Sequence, residues 1–384
     1  MARVAPVKVG LVGSGAISKS YLSSMINNFS ILDVVGCSDI IPERSKNRAE
    51  EFGIEQLTNE EIFNNPEIEI VVNTTYPLSH YEVSKAALLA GKHVHSEKMM
   101  AVTLDEGREL LSIAKEKGLR IGMAPDTFLG GGLQTARKLI DAGFIGEPLT
   151  ARAKVIRGYH MRGEVETDRL PFIMSPGGGI PFDMGGYYLH ALIFLLGGIR
   201  RVTGFAKTRK DTYVYENPRH PKYKESFDYD TTNMLVGALE FEQGCYGTLT
   251  TISEAFGEVP KIEIYGTEGI LICGDPNTFG GPIYLKRDNG SWNDFPPYEI
   301  PLTHGYSDGD YRGIGVADMA WAIRNNRPHR CSAELGFHAF EVVHGIIESC
   351  NTGKVYEMTS KCERPEPLPS GYISGTYAEA CLDN

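Results

Sequence analysis

Three things are missing from this sequence, and each absence closes a class of function. There is no C-x-x-C pair: the seven cysteines, at 37, 245, 273, 331, 350, 362 and 381, lie far apart and are odd in number. Such spacing argues against a disulfide framework or a zinc site and fits reduced thiols. No apolar run approaches the length of a membrane span, and the opening "MARVAPVKVGLVGSG" holds no long apolar segment before a cleavage site. A cytoplasmic chain with no membrane partner is therefore expected. Positive charge is also short, since 38 Lys and Arg against 49 Asp and Glu leave a net charge of −11. A general nucleic-acid or anionic-membrane surface needs clustered positive charge, so neither is expected. What is present is globular: 42% hydrophobic and 23% charged residues over 384 positions, without repeats or low-complexity segments. That length exceeds one ordinary core and predicts two domains.

The first third reads as a nucleotide fold. "VKVGLVG" (7–13) is a run of apolar and β-branched residues suited to a buried strand, and it enters "GSGAIS" before a segment of helical spacing. A glycine turn between strand and helix is the context in which this fingerprint has meaning. Gly13 permits the tight turn, and Gly15 lets the backbone approach a pyrophosphate beside Ser14, Ala16 and Ile17 at the helix N-terminus. Ser18 stands where a third glycine is usual. The next strand, "LDVVGCSD", ends in Asp39, placed to bind the adenosine ribose and to repel a 2′-phosphate, which favours NAD over NADP. Arg44, close by in sequence, weakens that preference.

Strands and helices go on alternating through "IEIVVNTT", "LSHYEVSKAALLAG", "KHVHSEK", "TLDEGRELLSIAKEKG" and "LRIGMAP". This is the pattern of a parallel, doubly wound sheet, an α/β fold that binds ligands at the strand C-terminal ends. Gly13, Asp39, Thr74, Thr75 and Lys98 all fall on that edge. Tyr76, His80 and Glu97 lie next to it and join the candidate cofactor residues. A lysine at such a strand end can hold a substrate oxygen. Beside an oxidised nicotinamide its pKa is expected to fall, making it a proton acceptor.

With these motifs in place the chain resembles the Gfo/Idh/MocA oxidoreductase family. "GLVGSGAIS", "SDI", "NTTYPLSHYEVSKAALLAGKHVHSEK" and "AGFIGEP" carry the resemblance, which runs over essentially the whole chain. It implies an N-terminal Rossmann domain and a C-terminal α/β domain with a large open, mainly antiparallel sheet. It also implies NAD(P)-linked oxidation of a sugar, cyclitol or related alcohol, and a homo-oligomer. The family's Glu-Lys-Pro motif matches Glu97 and Lys98, with Met99 in the proline's place, a change expected to loosen the loop.

The pattern changes after "APDTFLGGGLQTARKLIDAGFIGEP" to short strand-like runs joined by tight turns such as "EQG" and "TEG", as in antiparallel hairpins. The expected division is 1–126 for the NAD-binding domain, 127–365 for a substrate and oligomerisation domain, and 366–384 for an extended tail. His338, Glu341 and His344 drift around a helix and make a poor metal face, so no metal is expected. The segment 210–230 mixes aromatics, bases and acids and reads as a long loop or oligomer contact.

The stretch "DMGGYYLHALIFLLGG" reads as one helix starting near Asp183, which puts Tyr187 and His190 on the same face at i+4 and i+7. Many family members carry an Asp and, four residues later, a His there. The resemblance therefore implies that Asp183 and Tyr187 meet substrate beside Lys98 as the catalytic group, with Tyr187 in the histidine's slot. His190 and Asp126 are the candidate substrate contacts. Lys98 and Tyr187 would converge on the reacting hydroxyl, and which of them accepts the proton stays open. The "APDTFLGGGLQTAR" and "FDMGGYYLHAL" wording is similar to family members that oxidise the sugar of glycosides, including the 3-dehydrogenases that begin C-glycoside cleavage through a 3-keto sugar. Inositol or free-sugar oxidation, glycoside hydrolysis through transient oxidation, and a non-catalytic regulator are the alternatives.

Overall fold

The computed structural model describes residues 4–158, 174–209, 211–215, 218–253, 255–257, 259, 261–287, 296–370 and 382. Six strands open the chain: β1 (Val7–Val12), β2 (Leu32–Ser38), β3 (Glu55–Gln56), β4 (Ile70–Asn73), β5 (His93–Ser96) and β6 (Ile121–Met123). They pair in parallel in the order β3-β2-β1-β4-β5-β6. Both faces are covered, and the strands are correspondingly apolar and buried; β4 has no exposed residue. The register aligns the strand ends, with Val12 opposite Ser38 and Asn73, and Asn73 opposite Ser96. Residues just past those ends, at 13, 39, 74 and 97–98, therefore share one edge at the point where the strand order reverses. Helices α1 (Ala16–Asn28), α2 (Pro42–Phe52), α3 (Asn59–Asn64), α4 (Pro77–Leu89) and α5 (Leu104–Lys117) connect the strands. The last shows local coding plainly: Thr103 and Glu106 form a capping box, and Gly118 closes the helix in the left-handed region.

The second domain is a nine-stranded sheet. Its central strands are β7 (Pro148–Ile156), β8 (Ile199–Lys207), β11 (Met234–Phe241), β12 (Tyr246–Ile252), β13 (Lys261–Gly266) and β14 (Gly269–Cys273). With β15 (Ile283–Arg287), β16 (Tyr298–Glu299) and β17 (Tyr356–Glu357) the order is β16-β15-β14-β13-β7-β12-β11-β8-β17. Pairing is antiparallel except between β7 and β12. One face packs against helices; on the other, Phe205, Val236 and Tyr246 are exposed. The remaining α-helices among the described residues are α6 (Gly131–Asp141), α7 (Ile180–Asp183), α8 (Gly185–Leu196), α9 (Ile314–Asn325) and α10 (Ala333–Thr352).

Three expectations change. The stretch from Asp183 to Gly197 is not one helix: α7 ends at Asp183, α8 begins at Gly185, and the Tyr187 amide closes the joint onto the Met184 carbonyl at 3.1 Å. The Gly185–Gly186 pair makes a weak helix start, which allows the tightened turn. Residues 210–230 are more than a loop, because β9 (Thr212–Val214) pairs with β10 (Ser226–Asp228). The tight packing of Tyr213, Tyr215 and Phe227 accounts for this hairpin, although residues 210, 216 and 217 lie outside the described residues. Finally, α9 falls in the 127–365 segment yet packs on α1 and β6. Its Arg324 grips Glu69 of the first domain at 2.6 and 2.8 Å. The tail expected from 366 onward lies mostly outside the described residues.

Candidate active site

The site is built first from backbone. Gly13 has φ +99°, and a Cβ there would lie 2.7 Å from both the Thr74 carbonyl carbon and the Thr75 nitrogen, so only glycine fits this turn. A Cβ at Gly15 would meet nothing within 4 Å. Gly15 caps α1 with no side-chain hydrogen bond, which leaves the helix N-terminus open to an anion. A cavity runs along this edge. Gly13, Gly15, Ala16, Ile17 and Asp39 line it at one end, with Thr74, Thr75, Tyr76 and His80 in the middle and Glu97 and Lys98 at the other end. Ser14, also expected to touch cofactor, does not line it: its hydroxyl donates to the Ser38 carbonyl and its amide to Asp39 Oδ2 at 2.7 Å. The other Asp39 oxygen accepts the Ile41 amide at 2.8 Å, so the carboxylate is held at the adenosine end, where Arg44 also lines the wall. The open helix terminus, the glycine floor and the anchored carboxylate together fit a dinucleotide.

Lys98 ends the cavity. Its Nζ lies 3.1 Å from Asp183 Oδ1, 3.7 Å from Glu97 Oε2 and 5.4 Å from the centroid of the Tyr187 ring. Asp183 reaches across from the second domain because Gly179, at φ +82°, turns the chain into α7 where a Cβ would lie 2.6 Å from the Thr232 carbonyl oxygen. Asp183 lines the cavity; Tyr187 is buried behind Lys98 and does not. Glu97 is anchored from the other side by the Tyr21 hydroxyl at 2.7 Å.

Charge in this cluster is set by four neighbouring groups. Burial opposes the Lys98 ammonium, but Tyr187, Asp183 and Glu97 outweigh it and hold the lysine above its ordinary range. The protein's own groups therefore favour the Lys98 ammonium, and the fall expected beside an oxidised nicotinamide is an effect of bound cofactor that would act against them. Burial raises the Tyr187 phenol; Lys98 and Arg312 pull it the other way without cancelling the rise.

Met99 in the proline's place does not leave the loop free. The residue is buried after a cis Lys98–Met99 peptide, and His80 Nδ1 lies 2.6 Å from its carbonyl oxygen. The other His80 nitrogen is 2.9 Å from the Thr75 carbonyl oxygen, so this histidine ties the lysine loop to the end of β4.

Neither expected substrate contact lines the cavity. His190 is buried with Nδ1 3.0 Å from the Pro125 carbonyl oxygen and its ring edge-on to Phe128, and burial pushes its pKa down to about 4. It is a core histidine with a satisfied tip. Asp126 is buried too, and its Oδ2 accepts the amides of Gly313 and Gly315 at 2.8 and 3.0 Å. It anchors the start of α9 rather than a ligand, and burial raises it to about 6 despite those two hydrogen bonds. His338 and Glu341 serve as caps for the Ile199 amide and for Thr359 and Ser360. Among the described residues no group of acids, histidines or cysteines is arranged to hold a metal.

Arg312 was missed. It comes from the loop before α9, donates to Asp310 and Asn277, and its positive charge favours the ionised form of the Tyr187 phenol. The only local signal was an arginine in a glycine-bearing turn, "DGDYRGIG", which carries no chemistry until the fold places it.

Residues 7–124 match a model described as "Oxidoreductase family, NAD-binding Rossmann fold", and 133–272 match the GFO/IDH/MocA C-terminal domain. A 1,5-anhydro-D-fructose reductase of Ensifer adhaerens is 30% identical over 361 residues, covering 91% of this chain and 98% of that one. The chain belongs to the Gfo/Idh/MocA oxidoreductase family. A second family relative, the NADP(+) scyllo-inositol 2-dehydrogenase of Bacillus subtilis, is 28% identical over 358 residues, or 90% of this chain and 94% of that protein. The match to a D-xylose dehydrogenase of Paenarthrobacter nicotinovorans, 27% identical over 258 residues, covers 64% of this chain and spans 63% of that protein. The fold itself matches levoglucosan dehydrogenase in complex with NADH, at a TM-score of 0.80 and 20% identity over 92% of this chain and all of that one. The Gfo/Idh/MocA chain is thus an NAD-binding oxidoreductase, with no described helix long and apolar enough to cross a membrane.

Proposed function

We propose that this enzyme removes two hydrogens from a secondary alcohol of a sugar or glycoside, at C3 of the ring, leaving a 3-keto sugar. The observation that carries the reading is the meeting of Lys98, Asp183 and Tyr187 where the dinucleotide cavity ends. The chemistry a bound nicotinamide supplies there is acceptance of a hydride. Lys98, kept as an ammonium by Asp183 and Glu97, donates a hydrogen bond to the alcohol oxygen and fixes it. The Tyr187 phenolate, the form that Lys98 and Arg312 favour against burial, takes the hydroxyl proton. Asp183 orients the ammonium. At the far end, the Asp39 carboxylate disfavours a 2′-phosphate, which supports NAD over NADP. The exposed sheet face bearing Phe205, Val236 and Tyr246 is the surface we assign to a homo-oligomer contact.

The sugar class is supported by relatives named for xylose, anhydrofructose and inositol. A second reading, oxidation of a cyclitol, is favoured by the near full-length match to the inositol enzyme. Mass spectrometry of hexoses, glycosides and inositols incubated with enzyme and NAD⁺ separates the two. Loss of two hydrogens from a glycoside, with deuterium at C3 lost in the labelled compound, is the expected result. Products from inositols alone select the second reading, and an unchanged panel defeats both.

A further inference from the structure

Lys98 is flanked by two carboxylates, yet only one of them closes on it. Asp183 Oδ1 lies 3.1 Å from Nζ, whereas Oε2 of Glu97, the residue next to the lysine in the chain, stays at 3.7 Å. A carboxylate beside an ammonium, with nothing else to bind, is drawn in to about 2.7–2.9 Å. Glu97 is only 7% exposed, so water does not relieve that attraction. It is restrained from the other side. The Tyr21 hydroxyl donates to Glu97 Oε1 at 2.7 Å, and the Lys98 amide donates to Oε2 at 3.3 Å.

Tyr21 is a firm anchor. It is fully buried in α1, the helix whose open N-terminus faces the dinucleotide cavity. Its ring is boxed in by the His95 ring, with centroids 6.3 Å apart, and by Gly313, where a Cβ would lie 2.7 Å from Met25 Cγ and 3.6 Å from Tyr21 Cδ1. Burial and the Glu97 charge hold the phenol protonated, so its hydroxyl stays a donor.

The consequence falls on Lys98. An ammonium has three N–H donors and no fixed fork, so its direction is set by whichever acceptors come closest. We propose that Tyr21 is a positioning residue for Lys98, acting through Glu97: its hydroxyl holds the carboxylate off the ammonium, which stays turned toward Asp183 and the substrate oxygen. This rests on the role given to Lys98 above. Without that hydroxyl, Glu97 Oε1 is a buried acceptor with a lost partner, and the carboxylate closes on Nζ to recover one. It then competes with Asp183 and the alcohol for the same donors.

The test is Tyr21→Phe in the full-length enzyme with NAD⁺, a change that removes the hydroxyl and keeps the ring. Its crystal structure is expected to show the Glu97 Oε2–Lys98 Nζ separation falling from 3.7 Å to about 2.8 Å, with the Asp183 contact lengthened. kcat should fall by about 10–100-fold, the scale of a misplaced catalytic group, while Kd for NAD⁺ is unchanged because the glycine turn is untouched. Should Tyr21→Phe not fold, Tyr21→Met, which fills the space with a flexible apolar chain and no donor, takes its place. A double-mutant cycle separates positioning from packing: with Glu97→Ala already present, Tyr21→Phe should cause no further loss of kcat. An unchanged Glu97–Lys98 separation, or an equal loss of kcat with and without Glu97, overturns the inference. If the wild type oxidises no sugar or polyol, the assigned reaction fails while the separation still reports on Tyr21. If turnover is intact and the separation is fixed, the role of Tyr21 fails alone.

Discussion

The two halves of the site are made of different material. On the first domain the ligand meets backbone: the Gly13 turn, the Gly15 opening and the free amides of α1. On the second, the facing groups are side chains, Asp183 and Tyr187, gathered around Lys98. A backbone cradle is specified by a few adjacent residues and tolerates no Cβ where the chain turns back on itself. A side-chain cluster needs distant segments held to within hydrogen-bond reach, and each member can be replaced without breaking the fold. The two halves are therefore expected to fail in different ways.

The largest effect is expected where the halves meet. Lys98→Met and Tyr187→Phe should each lower kcat by about 10²–10⁴-fold while NAD⁺ binds as before, measured by cofactor titration and single-turnover kinetics. Full activity in both would break the comparison at its centre. Gly13→Ala should do the reverse. With φ at +99° and Thr74 2.7 Å away, the loop must shift, at a cost of about 1–3 kcal/mol, and NAD⁺ affinity should fall about 10–100-fold by that measure.

Asp126 joins the halves, since it lies at the end of the first domain and holds the amide next to Arg312. Its carboxyl is raised to about 6 from 3.8. A raised acid binds its proton more tightly folded than unfolded. Stability should therefore be highest below about pH 4 and decline as pH rises through about 6. Asp126→Asn keeps an oxygen for both amides and removes the charge. It should flatten that window and stabilise the enzyme above pH 6 by about 1–3 kcal/mol in denaturant unfolding curves. The smallest expected change is at the adenosine end, where Asp39→Asn should narrow the preference for NAD over NADP by about tenfold in Kd. An unchanged ratio would hand that selectivity to Arg44.

Legibility followed the same division. The glycine turn, Asp39, the Gly118 that closes α5 and five of the six parallel strands are written in contiguous residues, and each was read before the fold; β3, two exposed residues, was not. The structure brings together the expected residues that lie on the strand edge and sets apart two that do not. His190 and Asp126 looked like ligands because polar residues near a motif invite that reading, yet both are consumed by neighbours: Pro125 for one, Gly313 and Gly315 for the other. The break at Met184 escaped notice because helical spacing continues across it. The hairpin in 212–228 escaped because its strands are three residues each and are held by ring packing.

The amino-acid order alone settled the dinucleotide fold, the strand edge on which Lys98 lies and the family to which the chain belongs. These follow from period, glycine conformation and short motifs, which act over a handful of bonds. Only the folded chain decided that Asp183 and Glu97 flank Lys98 and favour its ammonium, and that His190 and Asp126 are held by neighbouring backbone away from the cavity. Those outcomes depend on burial and on charges a few ångströms apart, and such distances arise when segments remote in sequence pack against one another.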